Sequence, residues 1–236
     1  MSIIIIMNIN NQPLPILVVS ATEAECTPTL REITGCKTIL PGLHSGTFFG
    51  ELLEILVTGV GSAAATFRLT QTLMQRRYSR AISIGIAGGF AEDIPIGETV
   101  QITEDCFADL GIDNNGQFLN LRDAGLACDD FDGGFILNSS PVRSSHRQLR
   151  GITVQTASGS KNRIDHLVER FHPQVETMEN AAFFYVCQQM QVPFASFRAI
   201  SNRVETRNRE NWRINDAIGF INENLKQIIR ESKKTL

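Results

Sequence analysis

The residues best able to do chemistry lie in the run from Val175 to Trp212, VETMENAAFFYVCQQMQVPFASFRAISNRVETRNRENW. An acidic pair, Glu176 and Glu179, brackets Met178 at the mouth of a helix of small and aromatic residues that ends at Pro193. A β-rich segment, Phe194 to Ile200, then delivers Ser201, Asn202 and Arg203 at its end. Open α/β sheets bind ligands beyond the carboxyl ends of their strands, which makes this cluster a candidate contact. Two further strand ends carry similar groups. Pro15 to Ser20 runs into Glu23 and Glu25, which either aim a carboxylate into a cleft or simply favour the start of a helix. Ala81 to Ile86 leaves through Ala87, Gly88 and Gly89, where the missing side chains admit a ligand to the backbone or make a plain turn.

The elements that must position these groups alternate between strand and helix. Leu52 to Val60 reads as a strand and Ala63 to about Tyr78 as a helix, joined by Gly59-Val60-Gly61-Ser62. Gly59, Gly61 and Ala64 satisfy a dinucleotide fingerprint, but that motif needs an acid roughly 20 residues on, at the next strand end. The region here, Tyr78-Ser79-Arg80-Ala81-Ile82-Ser83-Ile84, has none, so the glycines are assigned to a tight turn. Glu98 to Glu104 alternates as a half-exposed strand, and 105–150 reads as a long loop. Gly151 to Ala157 returns as a strand that ends in Ser158-Gly159-Ser160. Apolar residues from Ile214 to Ile229 recur at three-to-four spacing, predicting an amphipathic C-terminal helix with a structural role.

Composition narrows the function classes. The chain has 236 residues, 42% apolar and 20% charged, which suits one α/β domain. Net charge is −3 without a basic run, which argues against nucleic acid as a partner. Five scattered cysteines without a CxxC pair point to reduced thiols in the cytoplasm. Four histidines in no metal-binding array argue against a metal site, and no membrane-spanning run is present. No cofactor is called for. Residues 1–14, with their short Ile run, are expected to be a leader outside a single domain at 15–236.

Six segments together resemble the nucleoside phosphorylase/nucleosidase superfamily: VVSATEAE, VTGVGSAAAT, IGIAGGFAEDIPIGE, SGSKN, ETMENAAFFYVC and FRAISNRVE. They follow the family's order over nearly the whole chain. The likeness is greatest to the nucleosidase branch, which holds methylthioadenosine/S-adenosylhomocysteine nucleosidases and futalosine hydrolases. FADLGIDNNG and FRAISNRVETRNRENW resemble the futalosine hydrolases in particular. The resemblance implies a three-layer α/β/α sandwich around a mixed sheet, a nucleoside substrate and a homo-oligomer. The implied activity is hydrolysis of futalosine to hypoxanthine and dehypoxanthine futalosine, a step towards menaquinone.

Cleaving an N-ribosidic bond passes through an oxocarbenium-like sugar and needs a base for water, a ribose anchor and help for the leaving purine. The resemblance implies that Glu25 activates water and that Met178 and Glu179 meet the ribose, the carboxylate accepting from its 2′- and 3′-hydroxyls. It further implies that Ala87, Gly88, Ser158, Gly159 and Arg203 contact substrate, while Arg198 forms an ion pair behind the site. Asn202 departs from the aspartate of adenine-specific relatives. Its amide offers O6 a donor and a ring N–H an acceptor, favouring hypoxanthine or guanine. Ser83 and Ile86 occupy positions where hexameric phosphorylases carry phosphate-binding groups, which favours water as nucleophile. Phe107, Phe118, Arg203, Arg207 and Arg209 are candidates for the substrate's aryl-carboxylate tail.

Overall fold

In a computed structural model, residues 13–128, 131–138 and 144–233 are described. The expected leader at 1–14 lies almost wholly outside them. The apolar run ILVVS forms β1 (Ile16–Ser20), followed by α1 (Glu23–Glu32). A hairpin of β2 (Thr34–Leu40) and β3 (Leu43–Phe48) leads to β4 (Glu51–Val57), α2 (Ser62–Gln75) and β5 (Arg80–Gly89). Next come β6 (Thr99–Asp105), a small hairpin of β7 (Gly111–Asn114) and β8 (Gln117–Asn120), the short β9 (Ile136–Leu137) and β10 (Gln148–Thr153). The chain continues through α3 (Lys161–Phe171), β11 (Val175–Thr177), α4 (Asn180–Gln189), β12 (Phe194–Arg203) and α5 (Ile214–Lys233).

The main sheet is mixed, with the order β11-β10-β6-β12-β5-β1-β4-β3-β2 and β9 attached to β6. Helices cover both faces. On one, α1 and α5 bury Cys26, Ala217, Ile221, Leu225 and Ile228 against Val18, Ile82, Phe197 and Ala199. On the other, α2 and α4 bury Leu69, Leu73, Phe183 and Phe184 against Leu17, Val19, Ala81 and Phe194. Rings of Phe183 and Phe184 sit 5.7 and 4.8 Å from that of Phe194. Each such buried ring contributes about 2 kcal/mol through the apolar area it withdraws from water.

One edge of β5 changes partner along its length. From Arg80 to Ser83 it pairs with β1, and at Gly88 and Gly89 it pairs with β11, so Ile84 to Ala87 have no strand on that edge. Because β11 also pairs with β10, the strands β5, β12, β6, β10 and β11 close into a ring beside the open sheet. The gap lies where strand order switches, the place at which α/β sheets form ligand crevices.

Several expected boundaries move. β5 continues through Ala87-Gly88-Gly89 instead of turning there, because both neighbours still bond to it. Glu176 belongs to β11 rather than to the helix mouth. The strand expected at 151–157 lies at Gln148–Thr153, and the strand expected at 52–60 ends at Val57. The 105–150 stretch is not a plain loop, since it holds the β7–β8 hairpin and β9.

Candidate active site

Three helix and strand ends meet at the gap in β5. Thr22 and Glu25 form a capping box at the start of α1, in which the carboxylate accepts from the Thr22 N–H and hydroxyl, each at 2.9 Å. The other carboxylate oxygen accepts the Ile86 N–H at 3.1 Å, one of the donors left bare where β1 has departed. Gly85 makes this approach possible, since a Cβ there would lie 2.7 Å from Glu25 Oε1. Glu25 is thus fixed by local helix chemistry on one side and by the sheet gap on the other.

Glu179 comes from the opposite side, at the N-terminus of α4. Its Oε1 accepts the Gly61 N–H at 2.7 Å, at the turn that opens α2. Gly61 has φ of 93°, a conformation that side-chain-bearing residues rarely adopt. The glycine turn that resembled a dinucleotide fingerprint therefore holds a carboxylate. Burial raises the Glu179 pKa, opposed by the Gly61 N–H and by Arg198.

Glu25, Glu179, Arg198 and Ser83 line one small cavity at the back of the site, closed by Val19, Leu69 and Phe183. The expected ion pair of Arg198 is not direct. Its guanidinium donates to Ser83 Oγ (2.9 Å), Ser196 Oγ (3.1 Å), Asn180 Oδ1 (3.3 Å) and the Phe197 carbonyl (2.8 Å). Glu25, Glu179 and Asp105 act on it through their fields, against a burial that lowers its pKa. Asp105 is fully buried, accepts from Thr153 Oγ1 (2.9 Å) and Asn180 Nδ2 (2.8 Å), and is raised by burial to about 7.

In front of this cavity lies a cleft of about 360 Å³. Its lining brings together Glu25, Ala87, Gly88, Ser158, Met178, Glu179 and Asn202. Gly159 and Arg203 do not line it. The Gly159 carbonyl accepts the Arg207 N–H at 3.0 Å, and Arg203 donates to the Ala91 and Glu92 carbonyls, tying down the exit from β5. The Asn202 amide donates to the Arg203 carbonyl at 2.7 Å and accepts from the Ser201 hydroxyl at 2.8 Å, which leaves one N–H and one lone pair to spare.

The apolar walls are Val60, Ile86, Val204, Trp212, Ile214 and Ile218. Sequence reasoning missed Ile214 and Ile218 because the C-terminal periodicity marks a core-facing helix and nothing more, and it gave Trp212, the last residue of the candidate run, no role of its own. Phe107 and Phe118 lie elsewhere. Phe107 packs edge-on against Phe131 with centroids 5.8 Å apart, and Phe118 lies under the Arg170 guanidinium. Arg207 and Arg209 stand over the Trp212 ring, 5.2 and 5.9 Å from its centroid, at the rim of the cleft.

Asn222 of α5 also reaches the site from behind. Pro28 lies inside α1 without an N–H to donate. Beside it, Asn222 donates to the Glu25 carbonyl at 2.8 Å and accepts from the Thr29 N–H at 3.2 Å.

A model of the phosphorylase superfamily matches residues 15–236. This chain belongs to the phosphorylase superfamily. Within that superfamily it is 30% identical over 178 residues to the futalosine hydrolase of Streptomyces coelicolor, covering 72% of this chain and 75% of that protein. It is 26% identical over 182 residues to a 5′-methylthioadenosine/S-adenosylhomocysteine nucleosidase of Haemophilus ducreyi, covering 72% and 74%. Among solved structures it is similar to the native futalosine hydrolase of Helicobacter pylori strain 26695, with a TM-score of 0.77 and 19% identity. That match covers 92% of this chain and 98% of that one, a likeness of fold. The superfamily's mixed sheet with helices on both faces is the architecture described above.

Proposed function

We propose that this protein hydrolyses the N-ribosidic bond of futalosine, releasing hypoxanthine and dehypoxanthine futalosine in the route to menaquinone. The observation that carries the reading is the convergence of two carboxylates, Glu25 and Glu179, on one cavity, with an amide, Asn202, at the edge of the adjoining cleft. Glu25 takes the proton of the attacking water. Glu179 accepts from the ribose 2′- and 3′-hydroxyls, and its charge favours the cationic sugar of the transition state. Asn202 donates to the 6-oxo side of the departing base. Met178, Ala87, Gly88 and Ser158 form the surrounding wall. Trp212 with Arg207 and Arg209 offers an apolar surface and cations for the aryl-carboxylate tail.

Two alternatives meet specific opposition. An adenine-directed nucleosidase is better served by an acid than by the Asn202 amide. A phosphorylase needs cations around phosphate, whereas the described residues lining the cleft include no Arg or Lys, and Arg198 is committed to neutral partners. A cytoplasmic homo-oligomer fits the reading. All five cysteines are free, no helix among the described residues is long and apolar enough to cross a membrane, and α2 presents Phe67 and Met74, 63% and 74% exposed, on one outer face.

The test is purine release followed chromatographically from futalosine, aminofutalosine, methylthioadenosine and inosine, with and without phosphate. Phosphate-independent release of hypoxanthine from futalosine is the expected result. Adenine release, or inosine cleavage that requires phosphate, would overturn the reading. A Glu179→Gln variant of undiminished activity would remove Glu179 from the mechanism.

A further inference from the structure

Among the described residues lining the cavity that Glu25 and Glu179 share, Arg198 is the one cation. A guanidinium carries five N–H groups, and most of these are spent away from the cavity. The Nη1 pair goes to Ser196 Oγ and the Phe197 carbonyl, and the Nη2 pair to Ser83 Oγ and Asn180 Oδ1. The fifth, on Nε, has no partner among the described residues. It lies on the Glu25 side: a Cβ on Gly85 would sit 3.7 Å from Arg198 Nε and 2.7 Å from Glu25 Oε1. Four donors are thus anchored by neutral acceptors while one is left for the site.

Asn180 is the anchor with a charge behind it. It follows Glu179 as the first residue of α4 and is fully buried. Its Oδ1 accepts from the Ser196 hydroxyl at 2.5 Å and from Arg198 at 3.3 Å, while its Nδ2 donates to Asp105 Oδ2 at 2.8 Å. The amide can sit only this way round, since a guanidinium donates and a carboxylate accepts. Asp105, on β6, is held from its other side by the Thr153 hydroxyl of β10, which also accepts the Ala181 N–H at 2.8 Å. Arg198, on β12, is the charge that acts on this carboxylate, against a burial that raises its pKa. A neutral amide therefore stands between a buried carboxylate and a buried guanidinium. In a medium of low dielectric such a pair closes into a direct, charge-assisted contact when nothing intervenes.

We propose that Asn180 is a positioning residue for the cleavage, holding Arg198 and Asp105 apart so that the Arg198 Nε–H and its charge stay with the Glu25–Glu179 cavity. This inference rests on the nucleosidase reading above and adds a residue that never meets the substrate. Without the amide, the guanidinium is drawn towards Asp105 and its field at the cavity weakens. Glu179 registers that field. Burial and Glu25 raise its pKa, while the Gly61 N–H, the Met178 N–H and Arg198 oppose them. A weaker Arg198 field therefore raises it further, and Glu179 must be ionised to hold the ribose hydroxyls.

The test compares Asn180→Asp and Asn180→Ala with the wild type. In N180D the new carboxylate still accepts from Arg198 and Ser196, and the proton that the two acids share stays on Asp105, the member farther from the guanidinium. A negative charge then touches Arg198 directly. N180A removes the bridge without adding a charge. Both variants should lose kcat on futalosine by about 10-fold or more with KM unchanged, and the acidic limb of the kcat profile should move to higher pH. Titration of the Glu179 carboxyl by ¹³C NMR, which needs no catalysis, should show its midpoint rising too. An unchanged kcat in a folded variant, a loss shared with KM, or a kcat loss with the Glu179 midpoint unmoved would overturn the proposal, the last leaving Asn180 a packing role only. N180A decides the matter if N180D does not fold. A midpoint that rises in the variants of a wild type that cleaves no nucleoside would unseat the hydrolase reading alone. Futalosine cleavage with neither readout moved would unseat this inference alone.

Discussion

The substitution Asn202→Asp isolates what the amide does for the 6-oxo base. The Asn202 Nδ2 lies 2.7 Å from the Arg203 carbonyl and keeps one further hydrogen for the ligand. In N202D an oxygen takes its place, and an acceptor then faces that carbonyl at the same distance unless the acid holds a proton. The proton satisfies the carbonyl, while O6 of the substrate faces a lone pair where a donor had been. Leaving such a buried acceptor unmatched costs about 1–3 kcal/mol, equivalent to roughly 5- to 150-fold in kcat/KM. The assay is kcat/KM for futalosine and aminofutalosine in parallel, with thermal unfolding as a control for the fold. Futalosine should lose activity in that range while aminofutalosine gains or holds. A selectivity ratio equal to that of the wild type, in a variant of normal Tm, would refute the amide argument.

Three further perturbations probe the surroundings. Gly85→Ala should displace the Glu25 carboxylate from the Ile86 N–H, because the new Cβ would sit 2.7 Å from Oε1. A loss in kcat of about 10²-fold is expected beside a destabilisation of roughly 1–3 kcal/mol, and an active G85A would show that the carboxylate position is unimportant. Burial raises Asp105 to about 7, above its unfolded value of 3.8, so the folded state holds the proton more tightly. Its contribution to stability is full below the unfolded value and is lost as pH rises towards 7, by up to roughly 4 kcal/mol. Urea unfolding at pH 5 and pH 8 should show that slope in the wild type, and D105N should lack it; equal slopes would refute the assignment. Phe67→Glu, on the exposed face of α2, should shift the protein to a smaller species in sedimentation without lowering its Tm, and an unchanged size would remove α2 from any subunit contact.

Much of the site was legible because strand ends announce themselves. ILVVS before Glu25 and FASFRAIS before Asn202 are apolar runs that stop at polar residues, and both deliver their groups to the cleft. Glu176 was harder to place, since a three-residue strand leaves no period to detect and the helix beside it dominates the pattern. The β2–β3 hairpin escaped for a related reason. TGCKTIL is exposed along its whole length, so it lacks the alternation by which a strand with one buried face is recognised. Arg203 and Gly159 lie outside the cleft lining. Both neighbour true lining residues in sequence, but a strand alternates its faces and a turn reverses, so adjacency in the chain did not carry them into the cleft. The role of Gly61 depended on a partner 118 residues away, which no local motif encodes.

The Asn222 bridge has a consequence for the timing of synthesis. Glu25 emerges early from the ribosome, but the side chain that bridges to α1 beside it lies 197 residues further along. Until α5 is released and packs, the amide that contacts both the Glu25 carbonyl and the Thr29 N–H is absent, and the turn of α1 that carries Glu25 lacks its tie to the C-terminal helix. A nascent chain stalled before α5 would therefore carry Glu25, Glu179 and Asn202 and the strands that bear them, yet lack the side chain that ties the Glu25 turn of α1 to the last helix. The cleft too would be walled in only with the final helix, which supplies Ile214 and Ile218.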